Sequence, residues 1–221
     1  MKNIVVIAPH SDDETLGAGG YLLKHKGLGD KIYWVNVTNA KVEHGYTCEE
    51  VDAWNHIIQQ VKIEMGFEEV FDLGFEPAGL DKLEKSKIVS EIKKVFDNIQ
   101  PNVVLVPFYN DIHSDHRIVF EAAMACSKTF RCPSIEMILC MEIISETDYA
   151  VSDDGFVPNH YVDISEYIDK KIDILQLYDS EISNSPFPRN GEAIRGLAKY
   201  RGAACYCHYA EAFRIVKSVE R

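Results

Sequence analysis

An unbroken apolar run, Ile4-Val5-Val6-Ile7-Ala8, passes through one proline into His10-Ser11-Asp12-Asp13-Glu14. Branched apolar residues without polar alternation read as a strand buried on both faces, the kind a parallel sheet needs. Ser11-x-x-Glu14 matches a capping box and predicts a helix starting at Ser11. A strand that feeds straight into a helix leaves the polar cluster on the bend, outside the carboxyl end of the strand. Open α/β sheets bind their ligands there. Capping alone does not call for four coordinating or titrating side chains at one bend.

The arrangement occurs a second time. Residues 103–107, Val-Val-Leu-Val-Pro, form another fully apolar strand, followed at once by Asn110-Asp111-Ile112-His113-Ser114-Asp115-His116-Arg117. Around these two points the pattern alternates. Apolar residues at helical spacing predict helices over 15–26, 49–65, 82–99, 118–128, 164–179 and 192–206. Further strands are expected over 31–38, 69–73 and 211–217, over 134–145 as one strand or two broken at Glu142, and as an edge strand within 151–162. Residues 39–47 read as a loop over the site, and 184–190, with Pro186 and Pro188, as a connector that in second place serves as a substrate lid. Strand-helix alternation of this kind implies a Rossmann-like α/β fold: a mostly parallel sheet, helices on both faces and a C-terminal extension, in a single domain over 1–221. Gly17-x-Gly19 invites a dinucleotide reading, but the glycines come after the helix has begun, and the second strand ends in Asn36-Val37-Thr38-Asn39 without the acid that holds a ribose.

Composition removes several classes of function. A net charge of -12 disfavours a nucleic-acid partner, and the 23 basic residues form no stripe. No apolar run is long enough for a membrane span, and the N-terminus enters a strand without a basic leader. The expectation is a soluble, cytoplasmic protein, with a homo-oligomer compatible with the sequence. Six cysteines at spacings that fit no zinc ribbon or disulfide scaffold read as reduced, packed thiols.

His10 and Asp13 are three residues apart, which on a first helical turn puts them on one face, and His116 reaches the same sheet edge if the two apolar strands are parallel neighbours. Two histidines and a carboxylate bind a divalent ion and leave a position open, as catalytic zinc sites do. The same set is the non-haem iron triad. Asp12, beside Asp13 but pointing elsewhere, is suited to take a proton from water at such an ion. His113 would face a substrate carbonyl from the far side, and Asp115 would orient one of the imidazoles. Glu14 reads as a capping residue, Glu211 as half of a structural ion pair, and His25, His44, His56, His160 and His208 as ordinary histidines. Tyr46, Phe108 or Phe187 would supply an apolar face for a ligand.

His10-Ser11-Asp12-Asp13-Glu14, followed by Gly17 and Gly19-Gly20, resembles the His-Pro-Asp-Asp-Glu motif of the PIG-L/LmbE-like zinc deacetylases. His113-Ser114-Asp115-His116 resembles the family's His-x-Asp-His motif, and Arg201-Gly202 with Tyr209-Ala210-Glu211-Ala212-Phe213 resembles its closing segment. The resemblance implies zinc held by His10, Asp13 and His116, with Asp12 as general base and His113 stabilising or protonating the tetrahedral intermediate. It implies removal of an N-acetyl group from an amino sugar or its conjugate. Ser11 stands where the family has proline, and the Arg-x-x-Glu pattern that many members carry after the second strand is missing around 41–50, where Lys41 is the nearest substitute. The alternatives are a hydrolase of another small amide, such as an amino-acid conjugate, and a non-enzymatic sugar-binding relative.

Overall fold

Strand β1 (Asn3–Ala8) is buried from Ile4 onward, and its side chains divide between two apolar clusters. Ile4, Val6 and Ala8 enter one; Val5 and Ile7 enter the other. A strand whose side chains alternate in direction but are apolar throughout must be covered on both sides. One cover is α1 (Asp13–Gly27), α2 (Cys48–Met65), α5 (Ile168–Leu175) and α6 (Gly191–Cys205). The other is α3 (Lys85–Ile99) and α4 (Ser114–Cys126).

The computed structural model describes residues 1–150 and 154–220. The described strands are β1, β2 (Lys31–Thr38), β3 (Glu69–Phe75), β4 (Val103–Val106), β5 (Met137–Met141), β6 (His160–Asp163) and β7 (Ala210–Ser218), in the order β3-β2-β1-β4-β5-β7-β6. The first five run parallel; β7 is antiparallel to both β5 and β6. The C-terminal extension thus continues the sheet and forms its far edge. The direction of winding reverses between β1 and β4, which pair directly with Val5 opposite Val104. The crevice of a doubly wound sheet opens at that point, so the two polar clusters leave the sheet side by side.

The structure corrects several sequence expectations. Ser11 does not cap α1: the helix starts at Asp13, and the Ser11 hydroxyl donates to Asn36 Oδ1 at 3.1 Å. His10 accordingly lies on the bend before the helix. Glu14 does not reach back to Ser11; its Oε2 accepts from the N–H of Asp12, the residue just before the helix, at 3.0 Å. A full capping box forms instead at α2, where Thr47 and Glu50 satisfy each other's backbone N–H. Helix α4 begins four residues earlier than its apolar spacing suggests, because His113 caps it, and Ser114, Asp115 and His116 form its first turn. Helices α3 and α5 are shorter than expected; residues Leu80–Lys82 make a separate 3-10 turn before α3. Strand β5 stops at Met141, and Glu142 pairs with Arg201 rather than extending it. The expected edge strand is β6; the first residues of the segment assigned to it, 151–153, lie outside the described residues. Cys126, Cys132 and Cys140 are packed, but Cys48 and Cys205 are exposed.

The glycines of α1 serve packing. A Cβ at Gly20 would meet Ile164 Cγ2 at 2.7 Å, and one at Gly17 would meet Met141 Cβ at 2.9 Å. Across this close contact Glu211 of β7 accepts from the backbone N–H groups of Gly20 (2.8 Å) and Tyr21 (2.7 Å). Lys171 of α5 completes the arrangement, donating to Glu211 at 2.7 Å and to the Leu16 carbonyl at 2.8 Å. Both charged groups are buried, and each is matched to a charge and to backbone, the condition under which burying an ion pair is tolerated. Helix α1 is thus pinned to the C-terminal half. No helix among the described residues is long and apolar enough to cross a membrane.

Candidate active site

Asp13, the first residue of α1, is almost fully buried and sits between two imidazoles. Its Oδ2 lies 3.4 Å from His10 Nδ1 and 3.3 Å from His116 Nε2. It also accepts the His10 backbone N–H at 2.9 Å, which locks the bend after β1. The outer nitrogen of each ring has its own carboxylate. His116 Nδ1 is 2.8 Å from Asp111 Oδ2, and His10 Nε2 is 3.2 Å from Asp115 Oδ2. With a cation bound in place of protons, these partners would assign the tautomers: each outer nitrogen keeps its proton for its carboxylate, and each inner nitrogen offers a lone pair on the side of Asp13. His116 Nε2 is buried and, despite its proximity to Asp13, has no aligned hydrogen bond. Two inward imidazole nitrogens, one of them the orphaned His116 Nε2, and one carboxylate oxygen fit a divalent cation of the zinc type, so the donor set passes on its own chemistry.

Metal-ligand spacing also groups His10, His113 and Asp115. That set is committed elsewhere. Asp115 accepts from the backbone N–H groups of Ala78 at 2.8 Å and Leu80 at 3.2 Å, and His113 Nδ1 accepts from the Asp115 N–H at 3.1 Å. Because its Nδ1 is an acceptor, neutral His113 presents Nε2–H. Burial and the neighbouring His10 and His116 push its pKa down to about 4, so it stays neutral at ordinary pH. Burial alone would lower His116, but the charge of Asp13 and the bond to Asp111 prevail and raise it to about 10. His10 behaves likewise: burial is outweighed by Asp115 and Asp13, giving about 9. Burial works against the Asp13 carboxylate too, yet His116 and His10 hold it well below the usual range. This mutual attraction is what a cation would take over from protons.

Asp12 turns the other way. Its backbone has φ 143°, and its carboxylate accepts from Arg189 Nη1 at 2.8 Å. Burial and the Asp13 charge push its pKa well up, with Arg189 opposing them. Arg189 also bonds Ser145 Oγ and Glu146 Oε1, at 2.9 and 3.1 Å. A cavity of about 280 Å³ opens over this group, with His10, Asp12 and His113 in its floor and Tyr46, Trp54, Glu181 and Arg189 in its wall.

The sequence-selected His10, Asp12, Asp13, His113 and His116 therefore converge. Asp115 belongs to the same group but is fully buried behind His10 and does not line the cavity. Phe108 does not face it either; it is fully buried in the core, and Phe187 is exposed outside the cavity. Four residues went unassigned from the sequence. Asp111 falls inside a polar run with no task of its own, Trp54 at the helical spacing of apolar residues in α2, and Glu146 and Arg189 in no motif. The one usable signal was Arg189, a lone cation in the 184–190 loop.

A Rossmann-like sheet with a two-histidine, one-carboxylate cluster at its switch point and a flanking acid defines an α/β protein with a candidate hydrolytic centre. The family of PIG-L, the GlcNAc-PI de-N-acetylase, matches residues 5–127, more than half of the chain, and the chain belongs to that family. It is similar to a diacetylchitobiose deacetylase of Thermococcus kodakarensis, 23% identical over 233 residues that cover 99% of this chain and 85% of the relative. Its fold matches a conserved protein of Thermus thermophilus with TM-score 0.79 and 23% identity, covering 100% and 97% of the two chains. It also matches an N,N'-diacetylchitobiose deacetylase from Pyrococcus horikoshii with TM-score 0.76 and 20% identity, covering 97% and 84%.

Proposed function

We propose that the protein is a zinc-dependent hydrolase that removes the acetyl group from an N-acetylated amino sugar or its conjugate. The observation that carries the reading is the division of labour between adjacent acids: Asp13 faces two histidines, and Asp12 faces the cavity. Family membership and the names of the relatives support the acetamide as the bond attacked.

His10, Asp13 and His116 would hold the ion. When bound, zinc supplies a Lewis acid beside the acetamide carbonyl and lowers the pKa of water. Asp12 takes the proton of the attacking water as general base. Arg189 occupies its Oδ2 and fixes the carboxylate, while Oδ1 has no hydrogen-bond partner among the described residues. His113, held neutral, donates a hydrogen bond from Nε2–H to the oxygen that gains charge as the carbonyl is attacked. Asp12 then passes its proton to the departing nitrogen as the C–N bond breaks, and the acetic acid released gives its own proton to the amine, so one water and one acetamide become an acetate and an ammonium. Asp115 is a positioning residue, acting on His10 through its Nε2 and on the backbone at Ala78 and Leu80.

The test is acetate release by the zinc-loaded protein from a panel of N-acetylglucosamine, its glycosides, acetylated amino acids and acetylated lysine peptides. Release from sugars, abolished in Asp12→Asn, is the expected result. Release from peptides or amino acids alone would leave the hydrolase and remove the sugar. No release from any member by a metal-replete protein would favour a binding relative.

A further inference from the structure

We propose that the cavity selects acetamido sugars that are neutral or carry a free ammonium, rejects anionic ones, and reads the ammonium through Glu181. This deepens, and rests on, the amino-sugar reading above.

The first observation is how Arg189 is used. A guanidinium in a substrate cavity ordinarily recruits phosphate or carboxylate. Here its Nε and both terminal nitrogens already donate to Ser145, Asp12 and Glu146. Among the described residues that line the cavity there is no lysine, and the three acids Asp12, Glu146 and Glu181 outnumber the single arginine. Glu181 comes last in the queue. Its Oε2 is 3.4 Å from Arg189 Nη1, farther than either other carboxylate, and its side chain is 35% exposed. Its remaining partner is the Ser180 hydroxyl, at 3.3 Å from Oε1. An acid that faces a ligand cavity with its charge so poorly matched is a seat for a cation.

The second observation is independent of charge. Asn39 donates from Nδ2 to Asp72 Oδ2 at 2.7 Å and to Asn55 Oδ1 at 3.3 Å, which uses both amide hydrogens and fixes the amide. What remains for a ligand is the Oδ1 acceptor. Thr38, beside it, spends its hydroxyl hydrogen on the Pro9 carbonyl at 2.8 Å and likewise keeps lone pairs. Both side chains line the cavity. They suit a ligand rich in donors, which hydroxyls and an ammonium are. A phosphate or carboxylate placed there would set lone pair against lone pair, the repulsive element that specificity needs. The aromatic faces of Tyr46 and Trp54 in the same wall suit the apolar side of a sugar ring.

The experiment has two arms on the zinc-loaded full chain. The first compares kcat/KM for a neutral N-acetylglucosamine disaccharide, the same disaccharide with one amine free, and N-acetylglucosamine 1-phosphate. The second compares binding, by calorimetry, of glucose, glucosamine and glucosamine 6-phosphate. The amine-bearing ligand should lead in both, by about 5-fold over its neutral counterpart, the size of a partly exposed ion pair. The phosphorylated ligand should trail, and added salt should narrow the gap. Glu181→Gln should bring the amine-to-neutral ratio close to one. A phosphorylated sugar that equals the neutral one, or a ratio that Glu181→Gln does not move, would overturn the proposal. Binding in the expected order without acetate release would sink the hydrolase reading and leave this one; release without the order would do the reverse.

Discussion

At the end of β1 the chain turns through Asp12 at φ 143°, whereas at the end of β4 it turns through His113 at φ −70°. The two bends lie side by side at the switch point; the first brings His10, Asp12 and Asp13 to the site, the second His113 and His116. The second achieves this within ordinary backbone geometry: His113 caps α4 with its own ring, and His116 follows on the first turn. The first bend needs a conformation that residues with a Cβ rarely adopt, worth on the order of 1–3 kcal/mol of strain. That strain separates the neighbours Asp12 and Asp13, one toward Arg189 and the cavity, the other toward the imidazoles. A relaxed bend sets two histidines three residues apart at one site; a strained one sends two adjacent carboxylates to different tasks.

The largest expected effects ignore the difference between the bends. His10→Ala and Asp13→Ala in the first, and His116→Ala in the second, should each lose the metal and all turnover, as read by metal analysis after dialysis. Full occupancy in any of them would remove that residue from the ligand set. Next come the residues facing the cavity. Asp12→Asn should keep its metal and fall about 100-fold or more in kcat, the usual worth of a general base. His113→Ala should fall by about 100-fold, as for one donor to a developing oxyanion. An Asp12→Asn enzyme near the wild-type rate would move the base elsewhere. The outer carboxylates come third: Asp111→Asn, which weakens the acceptor for His116 Nδ1–H, should cost about 10- to 100-fold in metal affinity, measured by competition with a chelator. Unchanged affinity would mean that packing alone orients His116. The smallest effect addresses strain directly. In denaturant unfolding of the metal-free protein, Asp12→Gly should be more stable than Asp12→Ala, and that gap should exceed the one between His113→Gly and His113→Ala by about 1 kcal/mol. Equal gaps would show that the first bend stores nothing.

How much of this is legible in the sequence follows from the range of the interactions. The strands β1 and β4 and the clusters behind them are local: apolar runs and motif spacings within about ten residues. His10, Asp13 and His116 come together once two parallel strands are neighbours, a relation the alternating pattern already implies. Arg189 lies 177 residues from its partner Asp12, in a proline-containing loop with no periodicity, so its standing as a lone cation there hints at a task but nothing local names the partner. Asp111 and Asp115 were both visible beside the histidines, but which acid serves which ring depends on where α4 begins, and the ring of His113 decides that. Trp54 kept the helical spacing of a core residue because it is one in part, with its remaining surface on the cavity wall.

The tie between α1 and the last strand bears on what can be cut away. Every proposed metal ligand lies before residue 127, where the family match also ends. Yet the helix that carries Asp13 is stitched to Glu211 and Lys171, residues of β7 and α5. The shortest stretch of chain that contains the chemistry is therefore not a module. Its geometry is underwritten by segments that contribute no ligand, so a graft or a minimal domain built from the motif-bearing half would carry the right residues and lack the frame that aims them.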